Sequence, residues 1–476
     1  MSIQTDISTK LKVAVHGCVH GSLKRIYDRI EELAPNERPD LLLILGDVQT
    51  IRTSKDLSSI SIPAKYMNPV NQHRYNNHQN RHFNQENYNN KSRYNNKGNI
   101  ISRYNGGAST IIDHISDFPQ YFNGVYEVTV PTLIIGGNHE NMRQFMELPY
   151  GGYLLPNMVY LGWSQTIWFK GIKIGGISGI TKLYDYYNKR PEYNEQAQEG
   201  GHKHSSFNEN SWWNRNKKSL YHVRFENIIP LYNSVVKDGN SPSIMLSHDW
   251  PRCVVRQGDL QGLLKKKPFF KNEVEQNILG SPLYDIILRK YKPTWWFSAH
   301  LHVKYTAEYK HGYDTAISCS SKDEIKLFDD EDKPKNECQT THFLALDKYL
   351  PRRKGESFDM VEIEVEDVQH PSLNDNNFYF DPEFVGNLLK VYTNKDIIED
   401  FKKKIKEQYF NENTHDFEQD LRTICDVINK KSVNINANND DVDWEDYKFP
   451  ECTETWYKDG IQQTNYFIDR YFKKEE

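Results

Sequence analysis

The stretch Leu133-Ile-Ile-Gly-Gly-Asn-His-Glu140 decides how this sequence is read. A short apolar run ends in two glycines, and an Asn-His pair follows at once. That is the pattern of a buried strand delivering a metal-type ligand and an acid/base group to its carboxyl end. Four other places do something similar: His16-Gly-Cys-Val-His20-Gly21, Leu45-Gly-Asp47, Ser247-His-Asp249 and Ala299-His-Leu-His-Val303. A lone histidine after an apolar run is more often structural than a ligand. Five such runs in one chain point to a metal centre.

Working outward, residues 12–15 form a short apolar strand, and Gly17 and Gly21 allow a tight turn after it. Ser22 is the expected N-cap of a helix from Leu23 to about Leu33, with Leu23, Ile26, Tyr27, Ile30 and Leu33 on its apolar face. Residues 41–45 are a continuous apolar run between turn residues, the mark of a buried parallel strand. Strand, helix, strand opens a layered α/β fold. The next strand covers 132–135. A helix over about 141–148 follows, and its exposed amides would favour an anion near Asn138 and His139. Residues 159–161, 167–169 and 172–177 read as antiparallel strands, the last two joined by a tight Lys170-Gly171 turn. Residues 244–246 and 293–299 lead into His248 and His300, and 341–347 and 360–365 read as closing strands.

Three stretches break this pattern. Residues 68–105 are almost entirely Asn, Tyr, His, Arg, Gln and Lys without apolar periodicity, and are expected to be a disordered insertion. Residues 178–218 interleave Tyr and Trp with Lys and Arg, which is what stacking on unpaired bases and pairing with phosphate require. An acidic run at 329–332 and a helical, acidic end beyond 375, with a polar gap near 432–442, close the chain.

A chain of 476 residues with 37% hydrophobic content can bury one large core or two. No apolar run approaches the ~20 residues a bilayer requires, and the first ten residues lack the regions of a secretory signal. The six cysteines form no Cys-x-x-Cys pair, so neither a zinc ribbon nor a disulfide framework is expected, and a reducing compartment fits. The net charge of −5 hides an asymmetry. Residues 321–476 hold 22 Lys+Arg against 37 Asp+Glu, which leaves 38 against 28 for residues 1–320. A basic front half suits an anionic ligand such as nucleic acid.

The five runs supply a coherent donor set. Hydrolysing a phosphodiester needs an activated water and neutralised phosphate oxygens, which two divalent metals about 3.5–4 Å apart can provide. Asp47 suits the bridge between two sites. His300 and His302 alternate on a strand-like segment, and are expected to lean to opposite sides and serve one metal each. Cys18 and His20 would join one metal, and Asn138 and His248 the other. Nitrogen and oxygen ligation suits Mn, Fe or Zn rather than Ca or Mg. As a thiolate Cys18 would favour Zn or Fe; as a neutral thiol it would leave the first site weak or empty, so that one metal acts. Asp249 is a candidate to orient a ligand histidine.

In order, Cys18-x-His20, Gly46-Asp47, Gly137-Asn138-His139-Glu140, Ser247-His248-Asp249 and His300-x-His302 resemble the calcineurin-like metallophosphoesterases. The resemblance is closer still to their RNA lariat debranching branch. Cys18 stands where the superfamily usually has Asp, as is typical of debranching enzymes. Ser61-Ile-Pro-Ala-Lys-Tyr66, Pro149-Tyr-Gly-Gly-Tyr153, Tyr221-His-Val-Arg224, Ser247-His-Asp-Trp-Pro251, Ala345-Leu-Asp-Lys-Tyr-Leu-Pro351 and Phe380-Asp-Pro-Glu-Phe384 also resemble that branch. The resemblance implies a layered α/β β-sandwich flanked by helices, a catalytic domain over 11–320 and a smaller acidic C-terminal domain over 321–476. It further implies hydrolysis of the 2′-5′ bond at the branch of intron lariats, with one or two divalent metals. His139 would be the group that protonates or stabilises the departing 2′-oxygen. Residues 178–208 would be the lariat recognition loop, with Lys182, Tyr184, Tyr187, Lys189 and Arg190 as RNA contacts. The implied partners are branched RNA and intron-turnover factors, for a monomer in the nucleus and in part the cytoplasm. A protein phosphatase or DNA nuclease of the same fold, or a non-catalytic scaffold, are the alternatives.

Overall fold

A computed structural model describes residues 10–62, 115–193, 209–235, 241–312, 339–350, 355–408, 415–431 and 442–473. The Asn-rich stretch 68–105, the part of the 178–208 loop beyond 193, the acidic run at 329–332 and nearly all of the polar gap at 432–442 lie outside the described residues.

Thirteen strands among the described residues form two sheets. The first has six strands in the order β12 (Phe358–Glu364), β1 (Lys10–His16), β2 (Leu41–Ile44), β3 (Thr132–Ile134), β5 (Met158–Tyr160) and β4 (Gly152–Leu155). The second has seven: β10 (Tyr305–Lys310), β11 (Thr340–Ala345), β9 (Trp295–Ser298), β8 (Ile244–Ser247), β7 (Ile172–Ile177), β6 (Ser164–Phe169) and β13 (Tyr379–Phe380). β1, β2, β3 and β5 run parallel, as do β11, β9, β8 and β7, while the outer pairs are antiparallel. The parallel strands are buried on both faces, which is why they read as unbroken apolar runs. Between the sheets the packing is close. A Cβ on Gly176 of β7 would lie 2.5 Å from Leu161 and 2.9 Å from Ile135, so glycine there lets the layers meet.

Parallel strands present all their carboxyl ends at one edge, and the chain places its ligand-bearing residues there. The ends of β1, β2 and β3 lie side by side in one sheet, and those of β8 and β9 side by side in the other. The expected helix after β1 spans Leu23–Glu31, but Ser22 makes no side-chain cap. Asp117 takes its place from far along the chain, accepting the Leu23 and Lys24 amides at 3.0 and 2.8 Å. The Lys170-Gly171 turn has positive φ at both residues, as a two-residue hairpin requires.

The expected domain boundary at 320 is corrected. β11 and β12 lie beyond it, yet β12 completes the first sheet against β1, and β11 sits between β9 and β10 in the second. Closing strands belong to the sandwich whatever their charge, because hydrogen bonding and burial assign a strand to a sheet. The helices that follow share the same core, which runs from Leu11 to Phe472. Helices Pro382–Thr393 and Phe417–Lys431 pack on Phe225–Asn233, and Gly460–Tyr471 packs on β4. Gln463 covers the free edge of β4 with its side-chain amide, accepting from the Tyr153 amide at 2.7 Å and donating to the Tyr153 carbonyl at 3.0 Å.

A chain cut after residue 320 would lack three strands and leave β1 and β9 with open edges. It is expected to be insoluble, or to melt without a cooperative transition; a soluble, cooperatively melting fragment would contradict this architecture.

Candidate metal centre

At the edge where the strand ends converge, Asp47 is the hub. It is 1% exposed. Oδ1 lies 3.5 Å from His248 Nε2 and accepts the His139 amide at 2.8 Å; Oδ2 lies 3.9 Å from His20 Nε2. On one side, donor atoms of Cys18, His20, Asp47 and His302 all fall within 4.8 Å of one another. His20 and His302 point Nε2 at Nε2 across 3.2 Å. On the other side, His248 Nε2 is 3.2 Å from Asn138 Oδ1, and the His248 and His300 ring centres are 5.1 Å apart. All seven expected ligands are therefore brought together, in two groups that share one carboxylate.

How they are held differs from the expectation. His300 and His302 are not on a strand. They lie in the loop between β9 and β10 with φ of 58° and 50°. They reach opposite groups because the left-handed backbone turns the chain between them, not because strand residues alternate. Among the described residues, five of the nine non-glycine residues with positive φ are at this site: His20, Asp47, Gln49, His300 and His302. Such conformations cost about 1–3 kcal/mol each and persist where surrounding structure fixes them. The crowding also explains a glycine in the opening stretch, since a Cβ on Gly137 would lie 2.3 Å from Asp47 Oδ1.

Asp249 does not orient a ligand histidine. Its Oδ1 accepts the Trp250 amide at 2.9 Å, and the Leu45 carbonyl takes His248 Nδ1 at 2.6 Å. That bond puts the His248 proton on Nδ1 and leaves the Nε2 lone pair facing Asp47 and Asn138. Nor do the amides after Asn138 await an anion. The His139 amide goes to Asp47, the Gly137 amide to Glu140 at 3.0 Å, and Asn141 caps the short helix Met142–Glu147. Positive charge within electrostatic reach of the two groups comes instead from two lysines. Lys182 acts on His300 and Asp249, and Lys348 on His20 and His302.

Glu140 is a functional position that sequence reasoning passed over. Fully buried, it accepts the amides of Val48, Gln49 and Gly137 at 3.0–3.1 Å, and so staples the Asp47 loop to the Asn138 loop. Its place at the end of the opening stretch was the available signal. Burial, with Asp47 nearby, raises its pKa to about 7.

The donor set fits a divalent cation. Asp47 Oδ2 is buried with no hydrogen-bond partner among the described residues. Burial lowers His20 to about 4 and His300 to about 3, so these imidazoles are neutral and keep the lone pair that ligation needs. Burial, then the Asp47 charge, pushes the Cys18 thiol well above its usual range, so its deprotonation would depend on a cation beside it.

The expected RNA contacts divide. Lys182, Tyr184 and Lys189 are exposed, with Tyr184 63% accessible and edge-on to His222, and Lys189 paired with Glu192. Tyr187 and Arg190 are corrected. Tyr187 is 3% exposed, packs on Phe225 and donates its hydroxyl to Asp420. Arg190 stacks on Trp163 at 3.8 Å and donates to the Leu220 carbonyl and to Asn227. Both anchor the segment to the body of the protein instead of facing a ligand.

Two clusters of nitrogen, oxygen and sulfur donors around one carboxylate, at the carboxyl ends of parallel strands in a two-sheet α/β sandwich, define a metallophosphoesterase. Residues 11–304 match the calcineurin-like phosphoesterase family. Among curated proteins, the lariat debranching enzyme of Saccharomyces cerevisiae is 35% identical over 97% of this chain and 99% of its own length. Those of Gallus gallus and Homo sapiens are each 35% identical, over 79% and 74% of this chain and 54% and 50% of their own lengths. The chain belongs to the lariat debranching enzyme family of calcineurin-like phosphoesterases, and spans about half the length of these two vertebrate relatives.

Two outcomes check the site. Tyr187→Ala is expected to lower stability by about 3–5 kcal/mol, as large aromatic truncations in cores do, whereas Tyr184→Ala should stay within about 0.5 kcal/mol. Denaturant titration of both variants decides. Chelator-stripped protein should also melt higher when Mn, Zn or Fe is restored, by about 2.7 kcal/mol of added stability at a hundredfold excess over Kd. Asp47→Asn should abolish that rise, and an unchanged rise would mean the metal binds elsewhere.

Proposed function

We propose that this protein hydrolyses the 2′-5′ phosphodiester at the branch of excised intron lariats, releasing linear RNA. The observation that carries this reading is the arrangement around Asp47: a Cys18-His20-His302 group on one side, Asn138-His248-His300 on the other, and His139 between them and solvent. It occurs in a chain of the lariat debranching family, with Cys18 at the position where the wider superfamily usually has a carboxylate.

Divalent metal held by these residues would supply an activated water and neutralise charge on the phosphate. The mix of thiol, imidazole and oxygen donors favours Fe, Zn or Mn. The rest is the work of the chain. Asn138 Oδ1 and His248 Nε2, 3.2 Å apart, present two donor atoms on one face of the site. His139 is fixed by Nδ1 donating to the Ser61 carbonyl, and its ring lies 5.5 Å from that of His20. With Nδ1 so engaged, Nε2 is the atom that carries a proton to the departing 2′-oxygen. Lys182 and Lys348 draw the phosphate in from either side. The nucleus, where excised introns arise, is the proposed setting, with cytoplasmic passage.

On a synthetic branched RNA, His139→Ala is expected to lower kcat by roughly 10²–10⁴ with metal content unchanged. Asn138→Ala should lose nearly all activity, while Cys18→Ser, whose hydroxyl can still reach the cation, should keep part of it. Linear 3′-5′ RNA and DNA ends should be left largely intact. Equal and near-total loss in all three variants, or ready cleavage of linear substrates, would contradict the assignment.

A further inference from the structure

A branch nucleotide carries three RNA chains, on its 2′, 3′ and 5′ oxygens. Lys182, Tyr184 and Lys189 are exposed near the His300 group and can follow one of them. A second surface has the right chemistry for another. The turn Arg252–Arg256 leads directly out of the His248 loop into the helix Leu260–Lys266. Between this helix and Val274 lies a groove of about 580 Å³, floored by Leu260, Leu264 and Val274 and walled by Arg256, Lys265 and Lys271. On the turn Pro268–Phe270 that follows this helix, Phe269 is 69% exposed, the most accessible large apolar side chain among the described residues, with the Lys267 ammonium 5.9 Å from its ring.

This surface is tied to the Cys18 side of the centre. Lys266 reaches Glu356 at 3.4 Å, the Glu356 carbonyl accepts the Asp347 amide, and the Ser357 carbonyl accepts the amide of Gly17, the residue before Cys18. Five cations lie between Arg256 and Lys271 against one carboxylate within that span, Asp259; Glu275 also lines the groove and lies 3.8 Å from Lys271. Cations over an apolar floor with a protruding aromatic ring nearby match unpaired nucleotides, whose phosphates need charge and whose bases need stacking. An acidic peptide would use the charge but give no reason for a bare phenylalanine beside it.

We propose that the groove of Arg256, Leu260, Lys265 and Lys271, with Phe269 on the adjoining turn, is a second single-strand RNA track, guiding one arm of the branched substrate away from the centre. It rests on the lariat reading above and adds to it the place where a second arm is held.

The test uses branched RNAs in which each arm in turn is extended from about two to about eight nucleotides, within the span one binding surface covers. For one arm, the wild type should show higher kcat/KM on the extended substrate. In Lys265→Ala/Phe269→Ala/Lys271→Ala that long-to-short ratio should fall about tenfold. The slope of log affinity against log salt should drop by about 1.4, the loss of two phosphate contacts at ~0.7 each. A ratio the same as wild type overturns the proposal, as it would if the face served an acidic protein. Should the triple variant melt early, the single charge reversals Lys265→Glu and Lys271→Glu carry the same comparison. If the wild type opens no branched RNA at all, the functional reading fails first and this inference falls with it; if it opens them without regard to arm length, only this inference falls.

Discussion

The structure depends on one buried carboxylate. Asp47 is enclosed on every side, yet one of its oxygens has no hydrogen-bond partner among the described residues. Burial alone would push its pKa up, but His248, His139 and His20 hold it well below the usual carboxylate range. An anion kept charged in a dry site needs compensation by charge. His20 and His300, held neutral by burial, offer lone pairs beside it, and a cation among these donors fits that requirement. The left-handed ligands and the crowded glycine follow from that requirement, because donors from five strand ends must converge on a space a few ångströms wide.

Around this hub the supports are carbonyls and amides rather than side chains. Leu45 fixes His248 through its carbonyl, Ser61 fixes His139, and Glu140 gathers three amides from two loops. Backbone groups have few degrees of freedom, so they set ring orientation at low entropic cost.

Much of this was legible in the residues themselves. Every parallel strand that carries a ligand shows as an apolar run ended by Gly or Ser and a donor, since burial on both faces erases polar alternation. What escaped depended on partners distant in sequence. Nothing near Ser22 says that Asp117 caps its helix, and nothing near His248 says that a carbonyl two hundred residues earlier replaces Asp249. Tyr187 and Arg190 have the composition of a nucleic-acid contact, but only packing reveals that Phe225, Asp420 and Trp163 claim them. The boundary at 320 follows from the family resemblance, and only strand pairing reveals that β11 and β12 complete the sheets beyond it.

The pairing of β12 with β1 has a consequence for biogenesis. During synthesis β1 finds its partner on one side within a few dozen residues, at β2, but on the other side must await a segment near residue 360. At translation speeds of about 5–20 residues per second, the interval is on the order of tens of seconds. Throughout it the nascent chain carries an unsatisfied, apolar ribbon edge. Chaperone shielding during synthesis, more than equilibrium stability, would then govern how much of this protein a cell obtains.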